Sequence, residues 1–421
     1  MTNQSGFYKL GIAPNILVIL DKLKLTTPTP IQEQSIPQAI DGKDIVGIAQ
    51  TGTGKTLAFG IPMIQAALRG KQGLVILPTR ELAFQVAEAF QKIGGHFHLR
   101  MATLVGGEPI RRQMFALQKK PKIIIGTPGR IIDHLEQKNI SFNLISILVL
   151  DEADRMLDMG FAPQLKRILQ AVPRERQTML FSATMPQDIL AIARSQMKLP
   201  IRVEIAPSGT MAAKVTHELF FLKNIDKPRL LEKILGEYKG AVLIFSRTKH
   251  GARKIASTVR VMGHTAAELH SDRSLGQRRE ALEGFRNGRY RVLAATDIAA
   301  RGIDVKGIEL VVNYDLPQTP GDYVHRIGRT GRAGRVGHAI SFATFDQRGD
   351  VRGIERLIRS TLPLSKLPEL PPARISSQKT FSEPYSPRPH TKQSYGVGTR
   401  RSFSRNYFPR RSNFKRSFKR R

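Results

Sequence analysis

Short apolar runs rich in β-branched residues recur along this chain, separated by amphipathic stretches of about 10–20 residues. In the first half they are "DIVGIA" from residue 44, "GLVILP" from 73, "MATLV" from 101, "KIIIGT" from 122, "ILVLD" from 147 and "QTMLFSA" from 177. The rhythm breaks at "APSGTMAAK", a small-residue linker. A second series follows: "THELFFL" from 216, "AVLIFS" from 241, "HTAAELH" from 264, "RVLAAT" from 291, "IELVVNYD" from 308 and "HAISFAT" from 338. Strands buried on both faces read as continuous apolar runs, so the pattern predicts βαβ units and parallel sheets. The expected organisation is α/β with two tandem domains, 34–207 and 216–365. A lead-in covers 1–33 and a linker 208–215. From 366 the periodicity dissolves into a Pro-rich exit and a basic tail.

Open parallel sheets bind ligands at the carboxyl ends of their strands, and the polar motifs begin there. After "DIVGI" comes "AQTGTGKT", residues 49–56. It departs from the general phosphate-loop pattern only at the first glycine, which is Ala49. Gly52 and Gly54 let backbone N–H groups turn inward, Lys55 can reach outer phosphates, and the Thr56 hydroxyl can ligate Mg²⁺. The run "ILVL" ends in Asp151-Glu152-Ala153-Asp154. In phosphate-loop enzymes a second strand ends in an acid that holds the metal. Asp151 suits that role, and Glu152 can take a proton from an attacking water.

Charge adds a partner class. Lys and Arg number 67 against 34 Asp and Glu, a net of +33, which favours a polyanion such as nucleic acid. Residues 371–421 hold fourteen basic residues against one acid, Glu383, with aromatics interleaved. Such a segment cannot bury enough to offset its ordering entropy and is expected to be disordered. Its basic and aromatic groups suit RNA binding. The 421 residues include no cysteine, which excludes disulfides and cysteine metal sites. No apolar run approaches the roughly 20 residues of a membrane span. The start lacks a signal-peptide pattern, so no membrane partner and a cytoplasmic location are expected.

Together, "AQTGTGKT" and the acidic tetrad resemble the DEAD-box family of ATP-dependent RNA helicases. The resemblance runs through most of residues 7–345. It includes "TPTPIQ" at 27–32, "PTREL" at 78–82, Gly106-Gly107, "TPGR" at 127–130, "SAT" at 182–184, "ATDIAARGID" at 295–304 and "HRIGRTGR" at 325–332. It implies two RecA-like domains with ATP and Mg²⁺ as cofactors. It also implies single-stranded or short-duplex RNA as a largely sequence-independent partner, with ribonucleoprotein partners around it. Asp151, Glu152, Lys55, His325, Arg329 and Arg332 would be catalytic, with Thr56 and Asp151 at the metal. Leu25, Gln32, Ala49, Gln50, Thr51, Gly52, Thr53, Gly54, Lys55, Thr56 and Asp304 would bind nucleotide, with Phe7 as the upstream aromatic. Thr79, Arg80, Gly107, Thr127, Gly129, Arg130 and Thr296 would line the RNA backbone. Ser182 and Thr184 would couple hydrolysis to strand separation.

The chain departs from the family pattern in three places, the third being a tail expected to lack the folded RNA-binding module that some relatives carry. Lys24 and Leu25 stand where the family usually has Gly and an aromatic that stacks on adenine. Glu280 stands three residues after Gln277, where an Arg is common, with Arg278 and Arg279 between them. The expected activity is RNA-stimulated ATP hydrolysis that closes the two domains on RNA and locally unwinds short duplexes. A DNA helicase on the same scaffold and an ATP-gated RNA clamp or assembly scaffold stay open alternatives.

Overall fold

Each of the twelve apolar runs becomes a strand in a computed structural model of the chain, which describes residues 6–50, 52–205, 215–300, 305, 307–331 and 336–372. The first sheet contains β1 (Ile45–Ile48), β2 (Gln72–Ile76), β3 (Met101–Leu104), β4 (Ile123–Gly126), β5 (Ile145–Leu150), β6 (Gln177–Ser182) and β7 (Ile201–Glu204), in the order β3-β4-β2-β5-β6-β1-β7. The second contains β8 (Val215–Phe221), β9 (Ala241–Ser246), β10 (Ala266–Leu269), β11 (Val292–Thr296), β12 (Ile308–Asn313) and β13 (Gly337–Ala343), in the order β10-β11-β9-β12-β13-β8. Neighbouring strands run parallel in both, as in β1–β6 and β12–β13. The central strands are buried on both faces, which is why they read as unbroken apolar runs. The seventh strand of the first sheet escaped the pattern. It lies at the sheet edge, and only its Val203 is buried, so it lacks an apolar run.

Helices α1 (Pro14–Lys22), α2 (Pro30–Ile40), α3 (Lys55–Leu68) and α4 (Arg80–Gly94) begin the first domain. The lead-in belongs to this domain: Phe7, Leu10, Ile16 and Leu20 pack in the same core as Ile45, Phe59 and Phe181. Helices α5 (Ile110–Gln118), α6 (Pro128–Glu136), α7 (Ala153–Asp158), α8 (Ala162–Ala171) and α9 (Gln187–Gln196) complete it. The second domain carries α10 (Lys227–Glu237), α11 (Lys249–Val261), α12 (Leu275–Arg286), α13 (Asp297–Ala300), α14 (Pro320–Ile327) and α15 (Arg348–Ile358). The linker up to residue 214 and the tail from 373 lie outside the described residues.

The second domain extends past residue 365, where the sequence pattern ends. The Leu219 N–H donates to the Pro363 carbonyl at 2.9 Å, and the Ser365 N–H returns to Leu219 at 2.9 Å. Leu370 packs against the core containing Phe220 and Leu230, and Arg229 Nε donates to the Pro371 carbonyl at 2.7 Å. A Pro-rich segment without periodicity thus covers the edge strand β8, which would otherwise present unpaired backbone groups. Ending the chain after residue 372 is expected to leave the melting temperature unchanged. Ending it after Leu362 removes these bonds and the Leu370 contact, which destabilises the second domain by roughly 2–4 kcal/mol. Thermal melts of the two truncations check this, and equal stabilities would remove the strap from the fold.

Candidate functional site

The phosphate loop connects β1 to α3, and two glycines fix its shape. Gly52 and Gly54 have φ of 85° and 97°, in the left-handed region that favours glycine. A Cβ on Gly54 would also stand 2.5 Å from Gln32 Nε2. Gln32 is buried against the loop: its Nε2 donates to the Gly54 carbonyl at 2.9 Å, and its Oε1 accepts the Thr29 N–H at 2.9 Å. One N–H and one lone pair of the amide remain for a ligand edge. The Thr53 hydroxyl donates to the Gln50 carbonyl at 2.7 Å, and the Ala49 N–H to the Ser182 carbonyl at 3.0 Å. The Ala49 backbone therefore joins the loop to β6. Leu25 lines a cavity of about 340 Å³ with Leu23, Leu57 and Ile93. Thr56 is half-buried in the first turn of α3, and Thr51 lies outside the described residues.

Lys55 is 6% exposed, and its Nζ has no hydrogen-bond partner; Asp151 Oδ1 lies 3.9 Å away. Burial pushes the Asp151 carboxyl up to about 6, against the opposing pull of Lys55 and with further upward push from Glu152. Glu152 sits in the left-handed region at φ 51°, and neither of its buried carboxylate oxygens has a hydrogen-bond partner. Arg155 Nε is 3.6 Å from Glu152 Oε2. Buried charges without hydrogen bonds are costly, and a cluster of them is the signature of a site made for a charged ligand. Asp154 is different, because it is fully engaged. Its Oδ2 accepts the Thr184 N–H at 2.9 Å and the Thr184 hydroxyl at 2.8 Å, and its own N–H donates to Ser182 Oγ at 3.2 Å. Ser182 and Thr184 are thereby tied to the acidic turn.

From the second domain, α14 faces this cluster. His325, Arg326 and Arg329 share one small pocket with Arg155 of the first domain. A Cβ on Gly328 would stand 3.8 Å from Gln50 Oε1. Arg329 is buried, and its Nε donates to the His325 carbonyl at 3.2 Å. Sequence reasoning passed over Arg326, which holds α14 in place. It bridges both oxygens of Asp297 at 2.5 and 2.7 Å, donates to Asn313 Oδ1 at 3.1 Å, and stacks over Phe245 at 5.0 Å. The visible signal was a third arginine inside "HRIGRTGR". Asp304 and Arg332 lie outside the described residues.

A second group gathers at the neighbouring strand ends. Strands β3, β4 and β2 are adjacent, and after them come Gly106-Gly107, Thr127–Arg130 and Thr79-Arg80. The Thr79 hydroxyl caps α4 by accepting the Leu82 N–H at 3.3 Å. Thr127 precedes α6 without a side-chain cap bond, so its hydroxyl is left to other partners. A Cβ on Gly129 would meet nothing within 4 Å, so packing within the chain does not require glycine there. Gly107, at φ 80°, lies against Arg80, and Arg130 Nη1 donates to the Glu108 carbonyl at 3.1 Å. Burial and the nearby charges of Arg278 and Arg130 lower the Arg80 pKa, as expected where cations cluster. Thr296 ends β11 in the second domain.

The departure at Glu280 in α12 is explained by helical geometry. Ser274 and Gln277 form a capping box, with Ser274 N–H to Gln277 Oε1 at 3.0 Å and Gln277 N–H to Ser274 Oγ at 3.3 Å. Glu280 turns back within its own domain to Tyr290 and Arg289. The contact to the first domain comes from its neighbours. Arg278 Nη2 reaches Glu81 Oε2 at 2.8 Å with both side chains largely buried, and the Arg279 guanidinium lies 4.4 Å over Phe84. Residues 278 and 280 are about 200° apart around a helix, so only one of them can face α4.

The fold and this geometry define a protein of two tandem parallel-sheet domains, the first carrying a phosphate loop at the carboxyl edge of its sheet. Residues 29–192 match the family model of the DEAD/DEAH box helicase, and residues 226–334 match that of the helicase conserved C-terminal domain. The chain is 43% identical over 345 residues to the ATP-dependent rRNA helicase rrp3 of Sclerotinia sclerotiorum, covering 80% of this chain and 72% of the relative. It is 40% identical over 383 residues to the DEAD-box ATP-dependent RNA helicase CshA of Bacillus cereus, covering 90% and 73%. Its fold matches S. cerevisiae Dbp5 bound to RNA and ADP BeF3 with a TM-score of 0.78 and 31% identity, covering 86% and 95%. The chain belongs to the DEAD-box family of ATP-dependent RNA helicases.

The acidic cluster carries a stability prediction. A carboxyl whose folded-state pKa is raised costs the folded state its ionisation free energy; the cost is absent below about pH 4 and complete above about pH 6. Asp151→Asn should therefore stabilise the nucleotide-free protein at about pH 7.5, by on the order of 2–3 kcal/mol for a shift of about two units. The advantage should shrink toward about pH 5. Melting curves of the two proteins at both pH values test this, and a variant less stable at the higher pH would contradict it.

Proposed function

We propose that the chain hydrolyses ATP in response to RNA, and that ATP-dependent closure of its two domains on single-stranded RNA locally unwinds short duplexes. The observation that carries this reading is the sorting of motifs by sheet order. The phosphate loop, the acidic turn and Ser182–Thr184 follow the adjacent strands β1, β5 and β6. The Gly- and Thr-led turns follow β3, β4 and β2. One edge of one sheet thus offers a polyphosphate site and, beside it, a row of backbone donors and small residues suited to sequence-independent phosphate contact.

In this reading Lys55 and the loop amides hold the outer phosphates, and the free amide capacity of Gln32 reads the base edge. Glu152 accepts a proton from the attacking water, and Arg329 stabilises charge that develops on the transferred phosphoryl group. Arg332 and Asp304 are assigned to the same site by resemblance. His325, beside Arg155, links α14 to the acidic turn, and Asp154 links that turn to Ser182 and Thr184. The unpartnered oxygens of Glu152 and the 3.9 Å spacing of Lys55 and Asp151 fit a hydrated Mg²⁺ with the phosphates. Asp151 and Thr56 would hold the ion, which when bound neutralises phosphate charge. A cytoplasmic location is part of this proposal, supported by the lack of cysteine in the sequence. Among the described residues no helix is long and apolar enough to cross a membrane.

Glu152→Gln keeps the side-chain shape and removes the base. RNA-stimulated turnover is expected to fall about 10²–10⁴-fold, while ATP and RNA still bind. Unchanged turnover would exclude Glu152 as the base, and turnover stimulated equally by DNA would point to a DNA helicase.

Closure should depend on the α4–α12 contact. Arg278→Ala is expected to reduce RNA-stimulated turnover more than ATP binding in the absence of RNA. Combined with Glu81→Ala it should be non-additive, with a coupling of about 1–3 kcal/mol in the apparent RNA affinity. Additive losses would mean that the two side chains act independently.

The basic segment 371–421 is assigned to RNA tethering. Its removal should weaken RNA binding and flatten the salt dependence, whose slope is near −0.7 per phosphate on single strands. Turnover at saturating RNA should hold, and a collapse would place the segment in the catalytic engine instead.

A further inference from the structure

Helices α8 and α9 leave between them a groove of about 1020 Å³. Its floor is apolar: Leu165, Leu169, Val172, Ile192 and Met197, with Leu157 from α7. These side chains belong to the margin of the first-domain core, yet no element of the described chain fills the space above them. Ala162 and Ala191 are exposed and small, which keeps the groove open. Around it stand Lys166, Arg174, Arg176 and Lys198, against one lining acid, Asp188. Part of that charge is already engaged, because Lys198 pairs with Glu175 at 2.7 Å and Arg176 bonds Gln196 at 3.0 Å.

The residue after Lys198 is unusual. Leu199 has φ 44° and is 97% exposed. The left-handed region is unfavourable for a bulky side chain, and burial inside the chain gives no compensation here. Leu199 directly follows Lys198, a lining residue of the groove, so a large exposed apolar side chain stands in the segment that borders it.

We propose that the α8–α9 groove with Leu199 is a docking site for an acidic amphipathic helix of another protein. The helix seats leucine-sized side chains on the apolar floor and turns its carboxylates to the cationic rim. Charge selects this occupant. The chain's own segment 371–421 carries fourteen basic residues against one acid, and a second copy carries a net +33, so both are repelled by the rim. RNA would gain from the cations but not from an apolar floor. Helix-in-groove recognition uses such a surface, with anchors at i, i+3, i+4 and i+7. The occupant would touch α7 and α9, the elements that follow the acidic turn and Ser182–Thr184, from the side away from the phosphate loop.

The test uses the full chain and a fluorescent helix-forming peptide of about 16 residues, with leucines at the anchor positions and glutamates elsewhere. It should bind with a dissociation constant in the micromolar range. Two control peptides, alanine for leucine and lysine for glutamate, should bind at least tenfold more weakly. The alanine peptide also removes charge-only attraction to a basic protein from the reading. Ala191→Trp fills the groove from an exposed position, and Arg174→Glu with Lys198→Glu inverts its rim. Each should weaken the leucine–glutamate peptide at least tenfold and leave RNA-stimulated ATP turnover unchanged. The proposal is overturned if the alanine peptide binds equally, or if Ala191→Trp has no effect on the peptide. It is also overturned if single-stranded RNA displaces the peptide from the groove, or if Ala191→Trp dissociates a dimer in sedimentation.

Discussion

Lys55 and the carboxylates of Asp151 and Glu152 are buried together at the carboxyl edge of the first sheet; Lys55 lies 3.9 Å from Asp151 and Glu152 lies 3.6 Å from Arg155, and neither the Lys55 ammonium nor the Glu152 carboxylate has a hydrogen-bond partner. Burying charge in that state is unfavourable unless it is compensated, which makes the cluster the candidate site for a charged ligand. The surrounding architecture serves to hold this arrangement open. Backbone bonds join the phosphate loop to β6, Asp154 pins the acidic turn to Thr184, and the left-handed Glu152 aims its carboxylate inward. Residues that stabilise the site and residues left unsatisfied in it are neighbours in sequence, as Asp154 and Glu152 are.

The second domain brings its own buried arginines to the same cluster. Arg326 is neutralised within its domain by Asp297, and its role is to orient α14. Arg329, just past the end of α14, shares the pocket that contains Arg155. The interface has a second point of attachment in Arg278–Glu81 and Arg279–Phe84. Glu81 belongs to the helix capped by Thr79 and begun by Arg80, so this attachment sits beside the proposed RNA row. In the proposed function, domain closure and RNA engagement would share one element, α4, with no long-range relay.

Much of this was legible in the sequence. Period and composition identified twelve of the thirteen strands, and local spacing identified the phosphate loop and the acidic turn. Those features are local, because a loop that must curl around phosphates needs its glycines and lysine within a few residues. The edge strand β7 and the strap at residues 363–371 were not legible. Each owes its conformation to a neighbouring strand and leaves little apolar signal of its own.

Residue order along the chain is enough to say which chemistry it carries: a phosphate loop, adjacent carboxylates, paired arginines and a basic tail. Tertiary structure decided how these are grouped. Strand order is not written in strand sequence, since any two buried parallel strands are interchangeable as patterns. Only the order β3-β4-β2-β5-β6-β1 separates a row of small residues and amides from a cluster of buried charge. The same holds for α12, where Arg278 and Glu280 are two residues apart and point to different neighbours. Their roles were fixed by the face that packs against α4, a fact that exists only once both domains are in place.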